Sequence, residues 1–443
     1  MTQQRAFKQH VRERMARTGE TYSTARRHVL ARIALARIAR EGTAAWPDGI
    51  VKGYDVCGGG THHDTALLHN VLRAAGVTAP HTSEPWSEAM LVGLAGGIGF
   101  MYFVFEYEGH HPTMTIVARH HPEPYLPAAL TRAGVPFTVA QTGSAKKATA
   151  ALRAVLAAGQ PAICTATRDG LPWHGVRGPL YSQDPYEVGV IGAGGDTLYL
   201  DDDRVTPLAV PAEEFVAAWS AYRKGKHSLL TLDGPAKPVD LGAAVADAVA
   251  TTCAHLTGPV LGNSFDVNFG FSGARKLAAQ LRDPKGKEGW SRRYAHPEAL
   301  FFGLRRLHDC LEWEYGGPGG LRPIYADFLD EAAAALDRPA YAEAATLFRR
   351  AGEQWSAVAT AALSPKAPQL VAYGELVDER QRLLVTGEGD ASALHRRVEE
   401  LSVEFGAADP LDAAARRELL DALADGVTSA VELEECAVAV LTR

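Results

Sequence analysis

The sequence predicts an α+β domain followed by a helical domain, on three observations. Helix-forming segments come first, and short strand-like runs then succeed one another along the chain, which suggests an α+β layer rather than a doubly wound sheet. A glycine- and proline-rich stretch, Asp233-Gly-Pro-Ala-Lys-Pro238, next breaks the pattern as a hinge would. Beyond it, apolar residues recur at helical spacing almost to the C-terminus.

Residues 5–40 read as two helices. Phe7, Val11 and Met15 share a helical face, Thr18-Gly19-Glu20-Thr21 interrupts it, and Ser23 or Thr24 can cap a second helix through Leu35. Glycine and proline punctuate 41–61. Helices are then predicted over 63–75, 85–94, 123–133, 144–158 and 211–222. Strand-like runs occupy 98–107, 114–118, 137–140, 162–167, 188–191, 198–200 and 228–232. Later helices cover 240–256, 268–282, 297–314, 322–336 and 340–363, with about three more in an acidic tail. No internal repeat is present. Four segments result: a basic helical segment 1–45, an α+β domain 46–232, a helical domain 233–365 and an acidic helical extension 366–443.

At 443 residues, with 47% hydrophobic and 22% charged residues, the chain has globular composition and the length for more than one core. No apolar run approaches the roughly 20 residues that cross a bilayer; the longest, Met90–Phe105, is interrupted by glycines. The polar, charged N-terminus carries no secretory signal. Cys57, Cys164, Cys253, Cys310 and Cys436 lack metal-type spacing and suit reduced thiols. A cytoplasmic location and no membrane partner are expected. The net charge of −7 is uneven: residues 1–40 hold ten Lys/Arg against two Asp/Glu, or +8, leaving −15 for the rest. With no interleaved aromatics and no zinc signature, the basic segment is expected to dock on its own acidic body or a partner subunit rather than on nucleic acid.

The most informative segment is Cys57-Gly-Gly-Gly-Thr-His-His-Asp64, running into a helix. Glycines feeding a helix start leave backbone N–H groups free for an anion or a developing oxyanion, which points to Gly59 and Gly60. A flexible turn is the competing reading. His62-His63, His110-His111 and His120-His121, with Asp64, Glu106, Glu187 and Asp202, raise the question of a metal. Adjacent residues rarely face one ion, and neither His-x-x-x-His nor Cys-x-x-Cys occurs, so no metal and no cofactor are expected. Gly93-Leu-Ala-Gly-Gly-Ile-Gly99 follows a helix and precedes a strand, the wrong order for a dinucleotide turn.

Longer stretches carry a resemblance. HHDTALLHNVLRAAG, SEAMLVGLAGGIGFMYFVFEY, QTGSAKKATAALRAVLAAGQPAICTAT and YEVGVIGAGGDTLYLDDD resemble the N-terminal domain of the butirosin-biosynthesis acyltransferase family. CLEWEYGGPGGLRPIYADFLDEAAAAL, with Trp355 downstream, resembles its helical C-terminal domain, so the likeness spans residues about 50–365. It implies a papain-like fold in which a Cys at a helix N-terminus attacks a thioester, a strand His activates it and an acid orients the His. On this chain the nucleophile position falls on His63, between His62 and Asp64. The strand base falls on Tyr186, or on Glu187 if the strand slips by one residue. The acid falls on Asp202, flanked by Asp201 and Asp203. The glycine turn would bring Phe100 and Tyr102 toward the core or the substrate cleft. Two repairs of the lost nucleophile suggest themselves: Cys57 folding back into the site, or His63 kept neutral by the helix N-terminus and acting as a general base. The resemblance implies acyl transfer or hydrolysis in natural-product metabolism, on an amine or peptide-like metabolite, with an acyl-carrier protein as donor and a homo-oligomeric state. The alternative is a catalytically lapsed member that holds a metabolite or partner in the retained cleft.

Overall fold

The computed structural model describes residues 3–18, 22–41, 46–122, 124–176, 181–182 and 184–443; the interruption expected at Gly19–Thr21 lies outside them. Two helices lead, α1 (Gln3–Thr18) and α2 (Tyr22–Glu41), followed by α3 (His63–Ala74) and α4 (Glu88–Leu94). Next come β1 (Ile98–Phe105), β2 (Thr113–Arg119), α5 (Tyr125–Arg132), β3 (Phe137–Ala140), α6 (Ala145–Ala157) and β4 (Ala162–Thr167). The α+β part closes with β5 (Pro185–Gly194), β6 (Thr197–Asp201), β7 (Leu208–Pro211), α7 (Ala212–Ala221) and β8 (Leu229–Leu232). Helices follow: α8 (Leu241–Thr257), α9 (Gly270–Arg282), α10 (Trp290–Arg293), α11 (Pro297–Glu312), α12 (Arg322–Leu336) and α13 (Pro339–Ala362). The tail is α14 (Pro368–Thr386), α15 (Ala391–Ala408) and α16 (Ala413–Leu441).

Six strands form one sheet in the order β3-β8-β4-β5-β6-β7, and β1 and β2 make a separate ribbon. Every pairing is antiparallel. The sequence gives no sign of β7, because four residues bracketed by Pro207 and Pro211 read as a loop; it is an edge strand, where proline is tolerated. Local chemistry fixes several helix starts. Ser87, Asp240 and Asp412 accept hydrogen bonds from the backbone N–H groups of Met90, Ala243 and Ala415, the acceptors such termini need.

One hydrophobic core runs continuously from Val51 to Val440 and takes in α3, α4, β1 and α8 together with α11–α13 and α16. A smaller core, including Val188, Val190, Phe215 and Trp219, joins β4–β6 to α6 and α7. The segments 46–232, 233–365 and 366–443 therefore share a core, and the acidic tail is built into it rather than appended. A buried ion pair makes the link concrete. Arg322, at the start of α12, donates Nε–H and Nη2–H to Glu434 of α16 at 2.7 and 3.0 Å. Trp355 of α13 donates its Nε1–H to the same carboxylate at 2.6 Å.

Removing one member of a buried pair leaves the other without compensation, at a cost of about 3–5 kcal/mol. Glu434→Ala is expected to destabilise the chain by that order in urea denaturation. A loss under about 1 kcal/mol would show that water or a neighbour replaces the carboxylate.

Candidate functional site

The site forms where the N-terminus of α3 meets β5 and the residues after β6. His62 occupies the cap position of α3 but makes no capping bond with its side chain. Instead Glu88, in the first turn of α4, accepts the N–H groups of Thr61 at 2.9 Å and His62 at 2.6 Å. Burial raises the Glu88 carboxyl, and these backbone donors oppose the rise. The glycine loop thus does present N–H groups to an anion, but the anion is the protein's own. Gly60 has no room for a Cβ, which would lie 2.1 Å from that of Ala66. Gly58 has φ +55°, and a Cβ there would meet the Asp203 and Arg204 carbonyls at 2.5 Å, so only glycine fits.

Three consecutive carboxylates leave β6 in different directions. Asp201 accepts from Tyr54 (2.6 Å), Asn70 (2.9 Å) and the Gly58 N–H (2.8 Å), and so ties the loop to the sheet. Burial lifts Asp201 to about 6 against these donors. Asp202 accepts from Trp173 (2.6 Å), His174 (2.9 Å) and Tyr186 (2.8 Å). Asp203 lies 3.3 Å from Nδ1 of His63 and 3.9 Å from the Arg27 guanidinium. Although burial acts against it, Arg27 and His63 hold Asp203 far below the ordinary carboxylate range.

His63 is the centre of this group. Its Nε2–H donates to the Glu187 carbonyl at 2.7 Å, and its Nδ1 is 3.3 Å from both Asp203 Oδ1 and the Tyr186 hydroxyl oxygen. Its ring stacks on Tyr186, with centroids 4.4 Å apart and planes 17° from parallel. Burial disfavours the imidazolium, but Asp203, Asp202 and Asp64 outweigh it and raise His63 to about 10. The group is therefore a cation at neutral pH with both N–H bonds engaged. The helix N-terminus does not keep it neutral, because three carboxylates exceed the effect of one helix dipole. Its neighbour His62 has only Asp64 at 4.0 Å to favour its charge, and burial outweighs that and lowers it to about 4. It lies edge-on to Tyr125, 5.5 Å between centroids. Asp64 pairs with Arg119 at 3.5 Å.

Tyr186, not Glu187, turns its side chain to His63. The Glu187 carboxylate accepts from Thr165 on the neighbouring strand at 3.0 and 3.2 Å, and burial with the negative charge of Asp64 lifts it to about 7. A Cβ at Gly189 would lie 2.6 Å from Leu67 Cδ1, so the glycine lets α3 close on β5. Cys57 is buried beside Asp201, and both burial and that charge push its thiol well above the ordinary range, so it is no thiolate nucleophile. Phe100 and Tyr102 stand apart in the core, Phe100 stacked on Trp355 and Tyr102 donating to Gln280 at 2.8 Å.

Residues the sequence did not single out complete the site. Arg27 of α2 donates to the Gly60 and Thr61 carbonyls at 3.1 and 3.3 Å, so the basic segment docks on the glycine loop itself. Arg168 lies 5.0 Å from the Tyr186 ring. Neither contact leaves a local pattern, since each bridges segments far apart in sequence. Among the described residues, His63, Asp202 and Asp203 place three metal-capable atoms within 4.8 Å of one another. One imidazole and two carboxylates could hold a divalent ion, but three donors already engage Asp202 and an arginine faces Asp203.

Residues 62–203 match the family model described as butirosin biosynthesis protein H, N-terminal. Over this unit the chain resembles the butirosin H family. Residues 216–379 match a domain of unknown function, DUF4872. No curated protein matches the chain. The butirosin H match spans the helix bearing His63, the strand bearing Tyr186 and all three aspartates, and leaves out Arg27, Tyr54 and the glycine loop.

The pKa of His63 makes stability depend on pH with a definite sign. Its folded value, about 10, lies above the ordinary 6.5, so its contribution is full below pH 6.5 and is lost as pH rises through 10. Wild-type urea midpoints are expected to fall between pH 7 and 10 more steeply than those of His63→Gln, and parallel profiles would refute the imidazolium. The thiols give a second check. Exposed Cys436 is expected to alkylate first at pH 7, with buried Cys57 inert until unfolding; rapid labelling of Cys57, read by peptide mass, would contradict its burial.

Proposed function

We propose that this chain is a ligand-binding relative of the butirosin-type acyltransferases in which covalent catalysis has lapsed. The observation that carries this reading is His63 at the mouth of α3, held by Asp203, Tyr186 and the Glu187 carbonyl where the resemblance puts the nucleophile of a papain-like site, with its carboxylate neighbours favouring the imidazolium. Acyl transfer through an enzyme thioester needs a thiolate, and imidazolium has no lone pair with which to attack or to accept a proton. Both N–H bonds of His63 end on protein acceptors. The thiols do not replace it: Cys57, Cys164, Cys253 and Cys310 are buried, and burial raises all four. On this reading the cluster of Tyr186, Asp202, Asp203 and His63 is a rigid wall, and Arg27 fastens the glycine loop to it.

A second reading keeps catalysis without a covalent intermediate. It rests on Glu187, half-buried and lifted to about 7, which suits a general base for direct transfer to an amine.

The test is incubation with a short acyl thioester and an amine, followed by intact mass and product analysis. We expect no acyl adduct and no amide above background. Amide formation abolished by Glu187→Gln would favour the second reading, and a stable adduct on Cys57, Cys164, Cys253 or Cys310 would exclude both.

A further inference from the structure

Outside the His63 cluster, a cavity of about 350 Å³ is bounded by the turn before β2, the Pro172–His174 turn, α11, α14 and α15. The gap beside His63 holds only about 50 Å³. We infer that the larger cavity binds a small organic carboxylate with an apolar body, held by Arg305 and Arg380.

The imbalance of charges in its wall carries the argument. The fully buried arginines have carboxylate partners: Arg306 pairs with Glu314, Arg322 with Glu434, and Arg168 with Glu314 and Asp184, whereas Arg305 and Arg380 are half-buried. Among the described residues, Arg305 and Arg380 have neither an ion pair within 4 Å nor a hydrogen bond, and the Nε atom of each is buried without an acceptor. Arg305 is nevertheless fixed in place, its guanidinium 5.0 Å from the Phe302 ring and 5.5 Å from that of Tyr373. The acids of the same wall are already engaged. Asp309 accepts from Tyr373 at 2.6 Å and from His308 at 3.0 Å, and Glu399 lies 3.2 Å from His395. An entering amine would meet carboxylates that already have hydrogen-bonded partners, whereas an entering carboxylate meets two guanidiniums that feel Asp309 only from beyond 4 Å and have donors to spare. Leu376, Leu394 and Val398 line the remaining wall and select an apolar body over a bare ion. His174 lines this cavity and also donates to Asp202, so the ligand would lie against the structure that holds His63. The inference stands whether or not His63 has lost catalysis, because His63 does not line this cavity, although His174 and Arg380 border both it and the gap beside His63.

Phenylacetate, phenethylamine and inorganic phosphate separate charge from body, and calorimetric titration of the full chain reads each. We expect phenylacetate to bind, phenethylamine not to bind, and phosphate to bind at least tenfold more weakly than phenylacetate. Arg305→Gln and Arg380→Gln should each weaken phenylacetate at least tenfold. Should either variant not fold, phenylglyoxal modification of the wild type, mapped by peptide mass, gives the same answer: phenylacetate should slow labelling of Arg305 and Arg380 and of no other pair. Absence of phenylacetate binding at millimolar concentration, equal binding of phenethylamine or phosphate, unchanged affinity in the folded variants, or unprotected labelling would each overturn the proposal.

Discussion

Asp201, Asp202 and Asp203 bring three negative charges in succession into a region where α3, β5 and β6 leave little water. Burial of a carboxylate is tolerated only with donors or cations at hydrogen-bond range. Each aspartate meets that demand differently, and the surroundings follow from how. The donors to Asp201 anchor the glycine loop, those to Asp202 fix the orientations of Trp173, His174 and Tyr186, and Asp203 requires cations. His63 and Arg27 supply them, at 3.3 and 3.9 Å. A histidine in this position is thus not a weakened copy of a nucleophile. It is a counter-ion, stacked on Tyr186 and bound to the β5 backbone.

The α+β order and the helical second half were legible because they depend on local periodicity. The helix after His62, the strand through Val188 and Val190, and three tail helices all read from apolar spacing and turn residues. Beyond the local range the legibility ended. Alternation along a strand says that Tyr186 and Glu187 point opposite ways, yet not which one meets α3; Thr165 on the neighbouring strand settled Glu187. The free N–H groups of the glycine loop were readable, but not that Glu88 reaches them. Cys57 looked available from its loop and is buried. Segment boundaries also misled, because a glycine-proline break marks a change of secondary structure and the hydrophobic core runs across it.

The charge asymmetry of the sequence acquires a structural meaning. On α2, Arg26 pairs with Asp378, Arg37 with Glu388 and Arg27 with Asp203. The basic segment is matched to acidic residues of α14, of the loop after it and of the site. Charge complementarity of this kind sets orientation more than strength, and the register it sets places Arg27 on the glycine loop.

That register has a bearing on how the chain comes to be assembled. Arg26 donates to Gln381, and Gln381 in turn donates to the Ser23 carbonyl, contacts that span 355 and 358 residues. A ribosome adding about 5–20 residues per second needs tens of seconds to make the partner that α2 awaits. Throughout that interval the glycine loop lacks the cover of Arg27, and closing so long a loop comes late in folding. α2 is therefore made long before the helix it docks on, and a nascent chain halted before α14 would lack the contacts to Asp378 and Gln381 that hold α2 in register over the site.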